Sequence, residues 1–193
     1  MRNIVLQMMT TLNGRIDDPG AWVTGISDDL YAAIDRIYSA YDTVLVGHTT
    51  AIEMVEYWPG AETDPASSDT VRSMAHRMNT YKKVVFTESA APAPLDWANV
   101  AYVQAQGDGD MVQAVRDLKA QPGSDMILSG GAALATTFIR LGLVDEYRLF
   151  VYPVVSRGAA WFDAVESLPE LDLLSATPYS NGVVGLHYRV KAG

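Results

Sequence analysis

The sequence contains no cysteine among its 193 residues. Disulfide bonds, thiolate nucleophiles and cysteine-ligated metal sites are therefore excluded. The three histidines, His48, His76 and His187, lie far apart and match no metal-ligand spacing, so we expect no metal site. The pattern Gly-x-Ser-x-Gly is also missing, which argues against a serine hydrolase.

Long apolar runs and an excess of positive charge are absent as well. No stretch is long enough to span a bilayer, and the first residues show no cleavage-type signal segment, so we expect a cytoplasmic protein with no membrane partner. The 23 acidic and 14 basic residues give a net charge of −9. This balance argues against a nucleic-acid partner, because such binding depends on a basic surface. The net charge does not forbid one small phosphorylated ligand, because hydrogen-bond donors close to the ligand can outweigh the field of more distant negative charges within roughly a Debye length.

What the chain does contain is an ordinary globular balance of 49% hydrophobic and 19% charged residues. Its length predicts a single domain over residues 1–193. Strand patterns alternate with helical patterns up to residue 142, and later strands follow without helices between them. The alternation predicts parallel strands, and the later strands are expected to be antiparallel. The predicted fold class is α/β with a mixed, mainly parallel central sheet.

Residues 125–153 are the most informative stretch. Met126 to Leu128 has a buried-strand pattern, Ser129-Gly130-Gly131 interrupts it, Ala132 to Leu141 has a helical pattern, and Tyr147 to Tyr152 is the next strand. A glycine turn before a helix leaves unpaired N–H groups that favour an anion and lets a phosphate approach closely. An ordinary turn of any α/β protein explains the same residues, because a Gly-Gly pair is weaker than a full dinucleotide fingerprint.

Two other strand ends also carry small or hydroxyl-bearing residues. Gly47-His48-Thr49-Thr50 follows one strand pattern, and Thr87-Glu88-Ser89 follows another. The carboxyl ends of parallel strands form the ligand-binding edge of an open α/β sheet. We therefore predict that the three junctions meet at one nucleotide site, although each hydroxyl taken singly is also typical of a turn or a cap.

Three further interpretations concern single elements. The helix that begins at His48 is expected to be short and to end near Tyr57-Trp58-Pro59. Lys82-Lys83 is interpreted as the solvated start of a strand. Residues 154–174 are expected to be irregular, with Gly158 and Pro169 as breaks.

The junctions also carry a family resemblance. The chain resembles the dihydrofolate reductase-like superfamily, in particular the reductase domain of bacterial riboflavin biosynthesis and its stand-alone relatives. The matching segments span almost the whole chain in the expected order: Thr11–Gly14, Val44–Thr50, Tyr57–Pro59, Lys82–Phe86, Ile127–Ala132, Gly142–Glu146, Pro153 and Gly158. The resemblance implies a three-layer α/β/α fold and an NADPH-dependent reductase that acts on a heterocycle or on a carbonyl or imine.

The resemblance also assigns residues to the cofactor. It implies that Gly130 and Gly131 lie under the pyrophosphate, and it suggests a cis peptide between them. The full set assigned to the cofactor is Gly47, His48, Thr49, Thr50, Thr87, Glu88, Ser89, Ser129, Gly130, Gly131 and Ala132. Relatives usually have arginine where His48 stands, and Glu88 would repel a 2′-phosphate. NADH, a flavin or a deazaflavin therefore stays open beside NADPH.

The substrate and the proton donor are expected to involve the first loop and the helix after it. The predicted substrate-binding residues are Asn13, Asp17 and Trp22, and relatives often have aspartate in place of Asn13, so the substrate is expected to differ. Asp29 resembles the acid of dihydrofolate reductases, and an apolar pocket would raise its pKa. Two plainer interpretations stay open: Asp28 and Asp29 favour the helix dipole, and Trp22 is a packing residue.

Two other functions stay open. A true dihydrofolate reductase is disfavoured, because the first helix has no basic residue for a glutamyl tail beyond Arg36. A non-catalytic nucleotide-binding module fits the departures at His48 and Asn13. Because relatives often pair through their sheet edges, we also expect a homodimer, with the apolar region Tyr147 to Tyr152 as a contact.

Overall fold

The computed structural model describes residues 1–16, 18–158 and 169–191. Helices and strands alternate through most of the chain. The elements are β1 (Ile4–Thr11), α1 (Pro19–Trp22), α2 (Asp28–Tyr38), β2 (Tyr41–Gly47), α3 (His48–Thr63), α4 (Asp69–Thr80), β3 (Lys82–Thr87), β4 (Val100–Gln104), α5 (Asp108–Ala120), β5 (Asp125–Ser129), α6 (Ala132–Arg140), β6 (Glu146–Tyr152), β7 (Leu171–Pro178) and β8 (Val184–Val190). Within the described ranges, no helix is both long and apolar enough to cross a membrane.

The strands form one eight-stranded sheet in the order β4-β3-β2-β5-β1-β6-β8-β7. The pairs from β4 to β6 are parallel, whereas β8 is antiparallel to both β6 and β7. Helices α5 and α6 pack on one face of the sheet, and α2 and α4 pack on the other. The prediction of a three-layer α/β/α fold with a mixed, mainly parallel sheet is confirmed.

The central strand β1 shows why its sequence is almost entirely apolar. Ile4 and Leu6 belong to the core cluster that contains Phe138 of α6. Val5, between them, belongs to the cluster that contains Leu30 of α2. Successive side chains of a strand point to opposite faces, so a strand covered on both sides needs apolar residues at every position.

Helix α3 does not end near Pro59, as the sequence pattern predicts, but continues to Thr63. Proline removes one backbone donor inside a helix. The last turns are instead held against α4, where the Asn79 side-chain amide donates to the Trp58 carbonyl at 3.2 Å and to the Glu62 carboxylate. The last turns of α3 are therefore stabilised by tertiary contacts that cannot be read from the local sequence.

Strand β7 begins inside the segment that was expected to be irregular, residues 154–174, and continues beyond it to Pro178. All eight of its residues are exposed, and its sequence shows no apolar alternation. A strand at the edge of a sheet that buries neither of its faces does not need that alternation. The expectation of irregular structure is therefore wrong for residues 171–174.

The apolar strand Tyr147 to Tyr152 is not an exposed sheet edge. It lies within β6, which pairs with both β1 and β8, and Tyr147 and Tyr152 are buried. That contact prediction is therefore wrong. The edge strands of the sheet are β4 and β7, and on β7 the side chains of Leu171, Leu173 and Leu174 are accessible. A homodimer through a sheet edge stays a prediction, and light scattering that shows a monomer would reject it.

Lys83 is not a solvated residue, as its position in the sequence suggests. Its side chain is fully buried, and its Nζ donates to the carbonyls of Met78 at 2.9 Å and Asn79 at 3.0 Å. The Nζ also lies 4.4 Å from the centroid of the Trp97 ring. Burial lowers the pKa of Lys83 to about 8. The interpretation as a solvated residue is wrong, because Lys83 donates hydrogen bonds to backbone carbonyl groups that have no partner within α4 at its C-terminal end.

Candidate functional site

A cleft of about 540 Å³ opens where β2, β3, β4 and β5 end. It is lined by residues of four junctions, which fall within Gly47–Thr50, Phe86–Ser89, Ala105–Asp108 and Gly131–Arg140. A volume of this size suits a small-molecule site. The structure thus brings together the three junctions identified in the sequence and adds the junction between β4 and α5. Their role in cofactor binding stays a prediction.

The turn Gly130-Gly131 joins two of these junctions. Both glycines have positive φ, +84° and +85°. A Cβ atom on Gly130 would lie 3.0 Å from Thr50 Cγ2, and one on Gly131 would lie 3.3 Å from Thr50 Oγ1. The turn therefore packs directly on the start of α3, and a side chain at either glycine would be strained. No peptide bond in the described ranges is cis, so the suggested cis peptide is not found.

Two helices begin side by side at this turn. Helix α3 starts at His48, helix α6 starts at Ala132, and neither carries an acidic residue in its first turn. The first N–H groups of a helix have no partner within the helix, and the helix dipole places partial positive charge there. The cleft therefore presents two anion-binding helix ends next to a turn without side chains.

The loop after β3 forms the wall opposite the glycine turn. Thr87 Oγ1 accepts a hydrogen bond from the Ser89 N–H at 3.1 Å, and Ser89 Oγ accepts one from the Ala91 N–H at 3.2 Å. Both hydroxyls therefore stabilise the loop as acceptors, which leaves their O–H groups able to donate. Thr87, Glu88 and Ser89 all line the cleft.

His48 is attached to the same loop. Its Nε2 lies 3.2 Å from the Ala93 carbonyl oxygen, and its ring packs against Tyr102 with 6.1 Å between centroids. Only the other ring nitrogen can then face a ligand. His48 therefore has less freedom and fewer donors than the arginine that relatives usually have here.

The far end of the cleft contains an ion pair that was not identified from the sequence. Both terminal nitrogens of Arg140 donate to the Asp108 carboxylate, at 2.8 Å and 2.6 Å, and this contact lowers the pKa of Asp108. The sequence signal for this pair is the junction Gly107-Asp108, which repeats the order strand, glycine, helix. The partner of Asp108 lies 32 residues away on α6.

Three of the predicted cofactor residues, Ser129, Gly130 and Ala132, do not line the cleft. Ser129 is buried, and its Oγ hydrogen-bonds to the Tyr38 hydroxyl, which donates to Gln7 Oε1 at 3.0 Å. The side chain of Ser129 therefore points to the α2 face of the sheet. The expected hydrogen bond from Ser129 to the cofactor is not supported by this geometry.

The first loop is held by its own side chains. Asn13 Oδ1 accepts hydrogen bonds from Thr11 Oγ1 at 2.8 Å and from the Ser156 N–H at 3.2 Å, and Asn13 Nδ2 donates to the Ser156 carbonyl at 2.8 Å. Trp22 is buried and packs edge-on against Tyr152, with 5.7 Å between centroids. Neither residue lines the cleft, which favours structural roles for both. Asp17 lies outside the described residues.

Asp29 is not positioned as a general acid. Its carboxylate accepts hydrogen bonds from Ser27 Oγ and from the N–H and Oγ of Ser180, the latter two at 2.8 Å. These bonds lower its pKa to about 2, so the group is ionised at neutral pH and has no proton to donate. It also does not line the cleft. The expected rise in the pKa of Asp29 is therefore wrong, because Ser180 stabilises the charged form from 151 positions away; its role as the proton donor stays a prediction.

No metal cluster is seen at this site. Within residues 1–16, 18–158 and 169–191, no group of three or more histidine, aspartate and glutamate side chains is arranged to hold an ion. The expected absence of a metal stays a prediction.

Solved structures define the class of fold. A putative riboflavin biosynthesis protein from Shewanella sp. PV-4 superposes with a TM-score of 0.72 at 18% identity, with 100% of both chains covered. A second structure is that of a diaminohydroxyphosphoribosylaminopyrimidine deaminase/5-amino-6-(5-phosphoribosylamino)uracil reductase from Thermotoga maritima. It superposes with a TM-score of 0.65 at 19% sequence identity, and the match covers 98% of this chain and 57% of that one. A dihydrofolate reductase from Enterococcus faecalis superposes with a TM-score of 0.61 at 10% sequence identity, and the match covers 98% of this chain and 97% of that one. The fold is dihydrofolate reductase-like.

The family follows from the sequence comparison. The model of the RibD C-terminal domain matches residues 2–185, and the chain belongs to this family. It is also 33% identical over 189 residues to the uncharacterized protein YyaP of Bacillus subtilis (strain 168). This match covers 97% of this chain and 94% of YyaP. The resemblance found in the sequence is confirmed.

Proposed function

We propose that this protein is a reductase that uses a nicotinamide dinucleotide, NADPH in the first instance, to reduce a small heterocycle, carbonyl or imine. Membership of the RibD C-terminal domain family supports this, as does the 5-amino-6-(5-phosphoribosylamino)uracil reductase named for the Thermotoga maritima protein. The observation that carries the proposal is the cleft where two helix N-termini flank the turn Gly130-Gly131.

The residues of the cleft fit such a cofactor. The N-termini of α3 and α6 would hold the pyrophosphate, because Gly131 leaves the backbone accessible and Thr50 packs beneath it. The hydroxyls of Thr87 and Ser89 would donate to the adenosine ribose. When bound, the dinucleotide supplies a hydride, and the protein contributes mainly binding and orientation. Because Asp29 is ionised, we assign the proton to ordered water.

We propose that discrimination between NADPH and NADH is weak. Of the described residues that line the cleft, Glu88 and Asp108 are acidic, Arg140 is paired with Asp108, and His48 is held by a carbonyl. A 2′-phosphate would therefore meet little net positive charge. Parallel fluorescence titrations with NADPH, NADH, FMN and reduced deazaflavin test this choice of cofactor.

A His48→Arg variant is expected to raise the affinity for NADPH about tenfold and to leave that for NADH unchanged. Arginine carries a permanent charge and can bind phosphate with two nitrogens, whereas one ring nitrogen of His48 is already held at the Ala93 carbonyl oxygen. The matched control is His76→Arg on α4, which adds the same charge outside the cleft. Equal changes in the affinities for NADPH and NADH would show that His48 does not lie at the 2′-phosphate site.

A second candidate function is a non-catalytic nucleotide-binding module. The ionised Asp29 and the amide of Asn13, which is bonded to Thr11 and Ser156, favour it, because both were candidates for substrate chemistry. It predicts cofactor binding without oxidation of the cofactor by any acceptor. A true dihydrofolate reductase would instead oxidise NADPH with dihydrofolate, and absorbance at 340 nm separates the three outcomes.

A further inference from the structure

Three buried polar side chains, the Gln7–Tyr38–Ser129 trio, meet directly before the glycine turn of the cleft. Tyr38 of α2 is 2% exposed, and Gln7 of β1 and Ser129 of β5 are each 8% exposed. Gln7 and Ser129 are opposite each other in the parallel pairing of β1 and β5. The Tyr38 hydroxyl donates to Gln7 Oε1 at 3.0 Å and is hydrogen-bonded to Ser129 Oγ. One hydroxyl group therefore joins α2 to the two central strands of the sheet.

The direction of these hydrogen bonds follows from the protons that are available. A tyrosine hydroxyl has one proton, and Tyr38 donates it to Gln7, whose amide oxygen can only accept. The Ser129 hydroxyl must therefore donate to the Tyr38 oxygen. Burial raises the pKa of Tyr38, so its proton is kept at neutral pH. The Ser129 side chain is thus fixed in one orientation.

The turn that follows Ser129 has no side chains of its own to fix its conformation. Gly130 and Gly131 both have positive φ, +84° and +85°, and glycine loses more conformational freedom on folding than any other residue. On one side the turn packs against Thr50. On the other side the chain enters the turn from Ser129, which is bonded to Tyr38. The conformation of the turn therefore depends on how firmly Ser129 is held.

Packing alone does not require a polar trio at this place. Leu30 of α2 already packs in the apolar cluster on this face of the sheet. Asp35 fastens α2 to α4, where it accepts from Arg77 at 2.9 Å. Buried polar groups destabilise a core unless each of them is satisfied, so apolar side chains would hold α2 more simply. The trio therefore has a role other than packing, and its position before the turn indicates that role.

We propose that Tyr38 is a positioning residue for the nucleotide site: through Ser129 it fixes the turn Gly130-Gly131 in the conformation that receives the pyrophosphate. This inference rests on the proposed function, in which the turn holds that group. A ligand binds with an affinity reduced by the fraction of molecules whose site is in the binding conformation. Loss of the Tyr38 hydroxyl lowers this fraction but removes no group that lines the cleft.

Titration of the full chain with NADPH and NADH tests this role in Tyr38→Phe. We expect both dinucleotides to bind about three- to tenfold more weakly, which is the range that one hydrogen bond is worth. The matched control is Tyr81→Phe. The Tyr81 hydroxyl donates to the Tyr38 backbone carbonyl at 3.1 Å and accepts from Arg77 at 3.3 Å, so the control also loses hydrogen bonds beside α2. It is expected to bind both dinucleotides like the wild type.

A pair of substitutions at Ser129 separates the hydroxyl group from the shape of the side chain. Threonine and valine have nearly the same shape, but only threonine can donate to Tyr38. Ser129→Thr is therefore expected to bind the dinucleotides more tightly than Ser129→Val. The difference is expected to disappear when both are combined with Tyr38→Phe, because residues that act through one bond are not additive.

Amide hydrogen exchange of the free protein tests the proposal without a cofactor. Exchange over residues 129–132 is expected to be faster in Tyr38→Phe than in Tyr81→Phe, because only the first variant releases Ser129. Equal exchange in these two variants, or equal dinucleotide affinity, would overturn the proposal. A difference between Ser129→Thr and Ser129→Val that persists beside Tyr38→Phe would also overturn it, because Ser129 would then contact the cofactor itself. If the wild type binds neither dinucleotide, the proposed function fails, and the exchange rates still decide whether Tyr38 fixes the turn.

Discussion

Replacing Gly131 with alanine is expected to weaken the binding of NADPH and NADH by at least about tenfold, or 1.4 kcal/mol. Gly131 has φ +85°, and the new methyl group would stand 3.3 Å from Thr50 Oγ1, between the starts of α3 and α6. A phosphate group could then no longer approach the backbone N–H groups, and each lost bond to a charged group is worth about 1.5–3 kcal/mol. Fluorescence titration with each dinucleotide measures the loss.

Gly142→Ala is the matched control for this substitution. Gly142 lies just beyond the other end of α6, also has positive φ, +64°, and has no atom within 4 Å of the Cβ position. Both substitutions place alanine at a positive φ, a backbone conformation that is strained for any residue with a side chain. Only Gly131→Ala is expected to affect binding. If the two variants bind dinucleotides alike, the pyrophosphate does not lie at this turn.

Replacing Lys83 with methionine is expected to lower the free energy of unfolding by about 2–3 kcal/mol. Methionine fills a similar volume but cannot donate to the carbonyls of Met78 and Asn79 or place a charge over Trp97. Urea denaturation measures the change. The control is Lys82→Met on the preceding residue, which is partly exposed and bonds only to Gln121 among the described residues. We expect that variant to change the free energy by less than about 0.5 kcal/mol.

The same lysine predicts how stability depends on pH. The pKa of Lys83 is lowered by burial to about 8 in the folded protein, from its ordinary value of 10.5. Between these values the unfolded chain binds more protons, so the free energy of unfolding rises with pH, by at most about 1.4 kcal/mol per unit. The stability difference between wild type and Lys83→Met is therefore expected to widen from pH 8 to pH 10. A constant difference would mean that burial does not shift this group.

The sequence predicts those parts of the fold that local chemistry determines. The apolar runs in β1, β2 and β5 are visible because a strand covered on both faces must be apolar throughout. Two of the three junctions, those after β2 and β5, are visible because a strand that runs into a helix N-terminus needs small residues. Their meeting in one cleft then follows from parallel pairing, which brings strand ends to one edge.

The parts that could not be predicted depend on residues far apart in the chain. The role of Asp29 is decided by Ser180, and the role of Asn13 is decided by Ser156, 143 positions away. Each contact exists only because the turn after β7 and the segment after β6 fold back on the first loop and α2. Local patterns correctly identified polar residues here but could not show that these side chains already have hydrogen-bond partners within the chain.

The bonds between Asn13 and Ser156 also determine how this edge of the molecule can move. A backbone hydrogen bond from Leu12 to Val154, at 2.9 Å, runs beside them. Segments 11–14 and 154–156 are therefore coupled as one mechanical unit, although they are remote in sequence. Any opening of the first loop to admit or release a ligand must displace both segments together or break three hydrogen bonds.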